Sequence, residues 1–284
     1  MVAIADATVV IPTLGRVKTA LELAARLERL DPRPERTLFV FQDPSELFEW
    51  EKENASPRAK AILAPAIGAS VARNRGVEEA TTRYIAFLDD DCCPTRDDWL
   101  LEITKPLQQD AILLSTGPVE GWLSASSLLR RSRRAFMLAT PLLIPWGNPE
   151  ARTSWYCHTV AGGNFAIERD LFLKHGGFLE AFGSPSLYEE TELSLRVTRG
   201  SRRSIWYSAQ APVAHNQASS GGMRLVGALP SRAFVASQKD ILLRSIFGPS
   251  RGTEARVAAF RLLQVVVLIV RRLTPFRRAP SVSG

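Results

Sequence analysis

Three consecutive aspartates, Asp89, Asp90 and Asp91, follow the apolar run Tyr84–Leu88, which has the composition of a buried strand. Adjacent carboxylates repel one another, and a divalent cation removes that repulsion. Mg²⁺ or Mn²⁺ commonly joins one or two protein carboxylates to the phosphates of a bound nucleotide. Because alternate residues of a strand point to the same face, Asp89 and Asp91 are the expected pair. The alternative is an acidic turn that caps a helix beginning near Asp97.

A second group of carboxylates begins the segment 189–199, which is predicted to be a helix. On a helical wheel, Glu190 lies on the apolar side. Glu192 precedes Arg196 by four residues, a spacing typical of an intrahelical ion pair. Buried acids are rare without a function, and a carboxylate can accept a hydroxyl proton as a general base. Glu190 is therefore the candidate base, and Glu189 is the alternative.

The segments that must position these side chains alternate between strand-like and helix-like patterns. Strands are predicted at 8–11, 37–41, 62–63, 84–88, 111–115, 165–167 and 204–207, and helices at 17–30, 46–54, 69–80, 99–107, 170–175 and 189–199. This alternation predicts an α/β fold with a doubly wound, largely parallel sheet. Ligands of such sheets bind outside the carboxyl ends of the strands. The polar clusters after Ile11, Phe41 and Leu88 are expected to lie there.

Six motifs, in order along the chain, resemble those of the family 2 glycosyltransferases, which have the GT-A fold. They are VVIPT (9–13), ARNRG (72–76), YIAFLDDD (84–91), GGNF (162–165), GGF (176–178) and EETELSLR (189–196). The resemblance spans roughly Thr8 to His215 and implies a Rossmann-like, doubly wound mixed sheet. It implies an enzyme that moves a sugar from a nucleotide diphosphate donor, with a UDP-sugar favoured, to an acceptor hydroxyl with inversion at the anomeric carbon.

The resemblance also implies which residues form the site. For the nucleotide-sugar donor these are Pro12, Thr13, Arg16, Asp43, Arg73, Asn74, Asp89, Asp90, Gly163 and Asn164. Asp91 and His215 are the implied ligands of Mn²⁺ or Mg²⁺, with Asp91 as the last residue of a DxD motif. The family usually has Glu-Asp where this chain has Glu189-Glu190, so Glu190 stands in the position of the base with one more methylene.

Several of these residues also have a plainer interpretation. Pro12 and Thr13 can simply end a strand, and Arg73 can be an exposed helix residue. Asp43 in an Asp-Pro sequence can be only a turn former. His215 can be a polar loop residue.

Basic residues are concentrated towards the C-terminus. The chain has 284 residues, of which 45% are hydrophobic and 23% charged, and a net charge of +7. This composition excludes collagen-like, low-complexity and broadly disordered proteins. Residues 217–284 contain eleven Lys or Arg and two acidic residues, which leaves residues 1–216 slightly acidic. The expected organisation is a nucleotide-sugar-binding half (1–117), an acceptor-binding and catalytic half of the same domain (118–216) and a basic, partly amphipathic helical extension (217–284).

The apolar run 257–270 is too short to cross a bilayer and is interrupted by Arg261 and Gln264. With Arg256 and Arg271 at its ends, it suits either an anionic membrane interface or packing against the domain. A second basic cluster comprises Arg130, Arg131, Arg133 and Arg134 and suits either a lipid phosphate or a solvated face. The expected partners are therefore a nucleotide-diphospho-sugar, an acceptor that carries a hydroxyl group, and an anionic membrane surface. Lipid-linked molecules are among the expected acceptors.

Cys92, Cys93 and Cys157 have neither disulfide-like nor metal-ligand spacing, and the N-terminus lacks a secretory pattern. These features predict a cytoplasmic protein, and the basic extension predicts a peripheral location at the inner face of the membrane. Two other classes of function compete. A sugar nucleotidyltransferase would carry a Gly-rich phosphate loop with a lysine near the first strand, which residues 12–16 do not resemble. A non-catalytic membrane- or nucleic-acid-binding protein would use the basic extension alone, and nucleic acid is the weaker expectation.

Overall fold

The structure is a computed structural model that describes residues 4–54, 56–121, 132–139, 141–201, 203–216 and 231–273, with the backbone alone described for 267–273. Its strands are β1 (Ile4–Thr13), β2 (Arg33–Phe41), β3 (Ala59–Leu63), β4 (Tyr84–Leu88), β5 (Cys92–Pro94), β6 (Leu114–Thr116), β7 (Val119–Glu120), β8 (Met137–Ala139), β9 (Ile144–Trp146), β10 (Trp155–Tyr156), β11 (Asn164–Glu168), β12 (Ile205–Tyr207) and β13 (Val213–His215). Its helices are α1 (Val17–Leu27), α2 (Pro44–Glu53), α3 (Ala69–Glu79), α4 (Trp99–Thr104), α5 (Arg169–Lys174), α6 (Glu189–Thr198), α7 (Arg232–Phe247) and α8 (Arg251–Leu273). Short 3₁₀ turns lie at Lys105–Gln108 and Glu180–Phe182.

Eight strands form one sheet in the order β10-β12-β6-β11-β4-β1-β2-β3. β4, β1, β2 and β3 are parallel, which is the doubly wound half predicted from the strand–helix alternation. β11 runs antiparallel to both of its neighbours, β4 and β6, so the sheet is mixed, as the family resemblance implies, although most of its strand pairings are parallel. The reason is that β11 follows an irregular segment instead of a crossover helix, and an antiparallel strand needs no such crossover.

The central parallel strands β1 and β4 are buried on both faces over residues 7–13 and 84–88, as expected where helices cover a sheet on two sides. In β1, Val9 and Ile11 belong to one apolar cluster and Val10 to the other, so alternate side chains supply two separate cores. α1 covers the first face with a buried stripe of Val17, Ala20, Leu23, Ala24 and Leu27. This i, i+3, i+4 spacing is that of an amphipathic helix. Packing on both sides fixes the sheet and therefore the edge at which its parallel strands end.

α7 and α8 pack against the rest of the protein rather than extending from it. Leu242 and Leu243 of α7 are completely buried, in one cluster with Leu143 and Phe182 of the preceding domain. Val257 of α8 joins the same cluster. Farther along α8, Leu262, Leu263, Val265 and Val266 are exposed. None of the helices in the described part of the chain is long and apolar enough to span a membrane.

Candidate active site

The aspartate turn lies at the carboxyl end of β4. β4 ends at Leu88, and the backbone N–H of Cys92 donates to the Asp89 carbonyl at 3.0 Å, so the three aspartates form a turn. β5 then pairs antiparallel with β13, with Cys92 opposite His215. This pairing brings His215 Nε2 to 3.5 Å from Asp91 Oδ2. His215 is therefore a strand residue beside the aspartate turn and not a loop residue remote from it.

Arg16, which immediately precedes α1, contacts two of the aspartates. Its Nη1 donates to Asp90 Oδ1 at 2.6 Å and to Asp91 Oδ2 at 2.8 Å. The expected pairing of Asp89 with Asp91 by strand alternation does not apply, because the chain has already turned at Asp89. Burial raises the pKa of Asp90 to about 7, against the opposing charge of Arg16. For Asp91 burial is outweighed by the hydrogen bond with His215 and the charge of Arg16, so its pKa is lowered.

Arg73 of α3 joins the aspartate turn to the second group of carboxylates. Its guanidinium is buried, with Nη2 at 2.8 Å from Asp89 Oδ1 and Nη1 at 3.3 Å from Glu189 Oε1. Burial alone would lower the pKa of Arg73, but the charges of Asp89 and Glu189 raise it. Arg73 is thus not an exposed helix residue. A fixed fork of donors on two carboxylates is the geometry that favours arginine over lysine.

Two consecutive glycines, Gly162 and Gly163, are closely approached by the carboxylates of Glu190 and Asp89. A β-carbon on Gly162 would approach Glu190 Cδ to 2.8 Å, and one on Gly163 would approach Asp89 Oδ2 to 2.9 Å. The backbone at Gly163 is therefore closely approached by the Asp89 carboxylate, and the contact of Gly163 with the donor stays a prediction. Burial, and next the charge of Glu189, raises the pKa of the half-buried Glu190. A half-buried carboxylate with a raised pKa is a candidate proton acceptor.

The helical-wheel prediction for α6 is confirmed for Glu192. Its carboxylate accepts from Arg196 Nε at 2.8 Å and from Ser245 Oγ at 2.7 Å, and it is completely enclosed. Arg196 also donates to the carbonyl of Gly177 at 2.7 Å. Glu192 therefore holds α6 to its neighbours, and Glu190 remains the carboxylate of this helix that is free of an ion pair among the described residues.

The donor-binding residues predicted from β1 and β2 lie at the expected edge of the sheet. Pro12 and Thr13 are buried at the end of β1. Asp43 caps the exposed start of α2, accepting from Ser45 Oγ at 2.6 Å and from Ser45 N at 2.7 Å, and these two hydrogen bonds lower the pKa of Asp43. The turn-forming interpretation of Asp43 thus holds, and its role beside a nucleotide base stays a prediction.

Two asparagines predicted to bind the donor have other partners. Asn164 is completely buried, where its Oδ1 accepts from Trp99 Nε1 at 3.0 Å and its Nδ2 donates to the carbonyls of Pro118 and Ala211 at 2.9 and 2.8 Å. These contacts use its amide inside the core, and its predicted role in the donor site stays a prediction. Asn74 instead exchanges hydrogen bonds with the backbone of Phe178, at 3.0 and 2.8 Å. It fixes the GGF loop and does not point to the aspartate turn.

Two positioning residues were not predicted from the sequence. Gln42 donates to the Thr13 carbonyl at 3.3 Å and accepts from Gly68 N at 2.7 Å, which ties the end of β1 to the start of α3. Glu46 accepts from Gly15 N at 2.8 Å and thereby holds the loop that carries Arg16. Both side chains act on backbone groups, so only the tertiary fold identifies them.

The donor atoms around Asp91 suit a hard or borderline divalent cation. One ligand atom each of Asp91, Cys92 and His215 lies within 4.8 Å of the others. Burial raises the pKa of Cys92 well above its ordinary value, so its thiol is neutral and a poor ligand. The buried Nδ1 of His215 has no hydrogen-bond partner in the described residues. A carboxylate oxygen with an imidazole nitrogen fits Mn²⁺ or Mg²⁺ better than a soft metal.

Parts of the two basic clusters fall outside the described residues. Arg133 and Arg134 are exposed, whereas Arg130 and Arg131 lie in the undescribed segment 122–131. In the C-terminal extension, Arg224, Arg277 and Arg278 lie outside the described chain, as do the side chains of Arg271 and Arg272.

The fold and the site together define a transferase of nucleotide-activated sugars. The family model described as "Glycosyl transferase family 2" matches residues 8–176, which is more than half of the chain. The chain therefore belongs to glycosyl transferase family 2, and it is a glycosyltransferase with a GT-A fold. No curated protein matches the chain in sequence.

Solved structures of low sequence identity share the fold. The mannosyltransferase PcManGT from Pyrobaculum calidifontis, in complex with GDP-Man and Mn²⁺, has a TM-score of 0.61 at 14% identity, covering 96% of this chain and 76% of its own. TarS 1-349 from S. aureus in complex with UDP-GlcNAc has a TM-score of 0.59 at 14% identity, over 90% and 71%. GalNAc-T7 with UDP, GalNAc and Mn²⁺ has a TM-score of 0.57 at 16% identity, over 74% and 43%.

Proposed function

We propose that the protein is a metal-dependent, inverting glycosyltransferase that moves a sugar from a nucleoside diphosphate donor to an acceptor hydroxyl. The observation that carries the proposal is the Glu190 carboxylate, half-buried against Gly162. It belongs to the same polar region as the aspartate turn, since Arg73 contacts both Asp89 and the neighbouring Glu189. A proton acceptor and a diphosphate site are the two components that this reaction needs.

In this reaction the acceptor oxygen attacks the anomeric carbon while the bond from that carbon to the diphosphate oxygen breaks, which inverts the carbon. The attacking hydroxyl gives its proton to Glu190, and the nucleoside diphosphate leaves. A raised pKa makes Glu190 a stronger base once it is ionised. Glu189 is the alternative base, but its carboxylate is already paired with Arg73. That pairing supports Glu190.

At the diphosphate side, Asp91 and His215 are the residues that would hold Mn²⁺ or Mg²⁺. A bound divalent cation neutralises negative charge on a leaving diphosphate. Arg16 contacts the carboxylates of Asp90 and Asp91, and its guanidinium would be available to a diphosphate bound beside them. Mn²⁺ is present in two structures of the same fold, PcManGT and GalNAc-T7. Between the GDP-Man and UDP-GlcNAc donors of the similar structures, the sequence resemblance favours a UDP-sugar.

We also propose that the enzyme works as a peripheral protein at the inner, cytoplasmic face of a membrane, on a lipid-linked or cell-envelope acceptor. The support is the exposed apolar surface of α8, formed by Leu262, Leu263, Val265 and Val266. The sequence places Arg271 and Arg272 just beyond that surface. Apolar side chains next to arginines suit a bilayer interface with anionic lipids.

The test is incubation of the full chain with UDP- and GDP-sugars, Mn²⁺, Mg²⁺ or a chelator, and hydroxyl acceptors that include lipid-linked sugars. Released nucleoside diphosphate reports turnover, and NMR of the product reports the anomer. We expect metal-dependent release and a product of inverted configuration. Release of nucleoside diphosphate that persists with the chelator would contradict the proposed metal dependence. A product that retains the anomeric configuration of the donor would contradict the inverting mechanism. Release of pyrophosphate from a nucleoside triphosphate and a sugar phosphate would establish a nucleotidyltransferase instead.

A further inference from the structure

Two polar side chains of α7, Gln238 and Ser245, form hydrogen bonds with α6 and with the segment that leads into it. Gln238 is buried and uses both ends of its amide: Nε2 donates to the Phe182 carbonyl at 2.9 Å, and Oε1 accepts from Leu187 N at 2.9 Å. Ser245, two turns later, donates to Glu192 at 2.7 Å. The helix that follows the glycosyltransferase motifs therefore holds the backbone on both sides of the loop leading into α6.

Lys239 is the most unusual of the buried groups, because its side chain is completely enclosed without a carboxylate partner among the described residues. Its Nζ donates to the Leu143 carbonyl at 2.9 Å and lies 3.9 Å from the ring centroid of Tyr188 and 5.3 Å from that of Phe260. Burial lowers the pKa of Lys239 to about 8. A buried ammonium is costly, and aromatic faces offset part of that cost.

The residue under this ammonium has a backbone conformation that needs support. Tyr188 has φ 71° and ψ 6°, in the left-handed region, and it is the N-cap of α6. Left-handed geometry is unfavourable for a residue with a β-carbon, so it persists where the surroundings impose it. Glu189 and Glu190 follow directly, and the direction in which they leave the N-cap depends on that conformation.

We propose that Gln238 and Lys239 are positioning residues for Glu190, acting through the Leu187–Tyr188 segment. Gln238 fixes the backbone of Leu187, and Lys239 fixes the ring of Tyr188. Together they hold the left-handed turn that aims Glu190 at Gly162. The inference rests on the proposed function of Glu190, and it makes the C-terminal helices part of the catalytic unit.

Kinetics of Lys239→Met, Gln238→Leu and Tyr188→Leu test the proposal. We expect kcat to fall about tenfold or more in each, with the Kd of the donor within about threefold of wild type, because a misaligned base costs rate and not donor binding. The Lys239→Met/Tyr188→Leu double variant should be no slower than the worse single variant, since both remove one contact. Lys52→Met is the matched control, because Lys52 also lies 3.9 Å over an aromatic ring, that of Phe48, on an exposed helix. A kcat within twofold of wild type in folded Lys239→Met and Gln238→Leu would overturn the proposal.

Hydrogen exchange gives a readout that does not need turnover. In Lys239→Met and Gln238→Leu, amides of residues 187–190 should exchange at least tenfold faster, while those of β4 keep their protection. Unchanged exchange at 187–190 would contradict the positioning role even if activity fell. If the wild-type enzyme transfers no sugar, the proposed function fails, whereas the exchange measurement still decides whether α7 holds this turn.

Discussion

The Glu190 carboxylate lies directly over the Cα of Gly162, where a β-carbon would come within 2.8 Å of Glu190 Cδ. The relationship joins the start of α6 to the glycine pair before β11, two segments that the sheet brings together. A glycine is required at this point because the Glu190 carboxylate approaches the backbone closely. The backbone conformation is not the reason, since the φ angle of Gly162 is not positive. The space above Gly162 is thus reserved for the carboxylate.

Gly162→Ala should therefore remove activity without removing donor binding. The new methyl group displaces Glu190, and a shift of about 1 Å in a reacting group can cost about 100-fold in rate. We expect kcat to fall by about that factor and the Kd of the donor to change by less than about threefold, measured by turnover and by calorimetry. Gly252→Ala in the first turn of α8 is the control, since its nearest contact is the flexible end of Arg256. A Gly162→Ala enzyme with normal kcat would show that the carboxylate position is unimportant.

The raised pKa of Glu190 makes a prediction about stability. The folded protein holds this proton more tightly than the unfolded chain, whose ordinary Glu pKa is 4.5. Ionisation therefore costs stability, and the cost grows as pH rises above 4.5 through the raised pKa. Glu190→Gln cannot ionise, so its Tm should exceed that of wild type by about 2–5 °C at pH 8, corresponding to about 1 kcal/mol.

The difference in Tm should shrink towards zero near pH 4.5, where both proteins carry a neutral side chain. Glu53→Gln, at an exposed position of α2, is the control. A difference that is constant with pH would mean that packing, not ionisation, separates the two proteins. Scanning calorimetry at pH 4.5, 6 and 8 makes this comparison.

Arg16 should compete with the divalent cation for the aspartate turn. Its Nη1 lies 2.8 Å from Asp91 Oδ2, so a cation that binds this oxygen must displace or share it. In the absence of donor, Arg16→Ala should bind Mn²⁺ about three- to tenfold more tightly, because a competing positive charge is gone. Electron paramagnetic resonance of free Mn²⁺ measures this affinity. Arg83→Ala, at a remote exposed ion pair with Glu168, is the control; weaker Mn²⁺ binding by Arg16→Ala would instead assign Arg16 a supporting role.

The exposed apolar surface of α8 should mediate membrane binding. Replacing Leu262 and Val266 by Ser should lower recovery with anionic liposomes at least fivefold, because the apolar area available to the interface falls. Leu173→Ser on α5 is the matched control, as Leu173 is also exposed at 40%. Flotation in phosphatidylglycerol-containing and in neutral vesicles measures the effect. Equal recovery of the double variant and wild type would remove the membrane hypothesis.

The sequence predicts those parts of this enzyme that depend on neighbouring residues. Residues 9–11 of β1, 38–41 of β2 and 84–88 of β4 are continuous apolar runs, and the ends of these runs locate the polar edge of the sheet. The Glu192–Arg196 pair follows from helical spacing alone. The resemblance to the family adds the order of the motifs, which identifies the aspartate turn and α6 as parts of one site.

Other features depend on contacts between distant segments and have no local signature. Arg73 between Asp89 and Glu189 and the antiparallel insertion of β11 each need the folded sheet. The partners of Asn164 also have no local signature: its position in a family motif suggests a donor contact, whereas in the fold Trp99 and two carbonyls use its amide in the core. The contacts by which α7 supports α6 also cannot be predicted from composition, which shows only that the C-terminal segment containing α7 is basic.

The central claim is that Glu190 takes the acceptor's proton, and single-turnover transfer by Glu190→Gln tests it most directly, with Glu189→Gln as the comparison. Loss of a general base costs about 10²–10⁴ in rate. We predict that Glu190→Gln loses at least about 100-fold while the Kd of the donor stays within about threefold of wild type, and that Glu189→Gln retains more of the rate than Glu190→Gln. A Glu190→Gln enzyme that keeps more than a tenth of the wild-type rate, or a Glu189→Gln enzyme that loses more, would contradict this account.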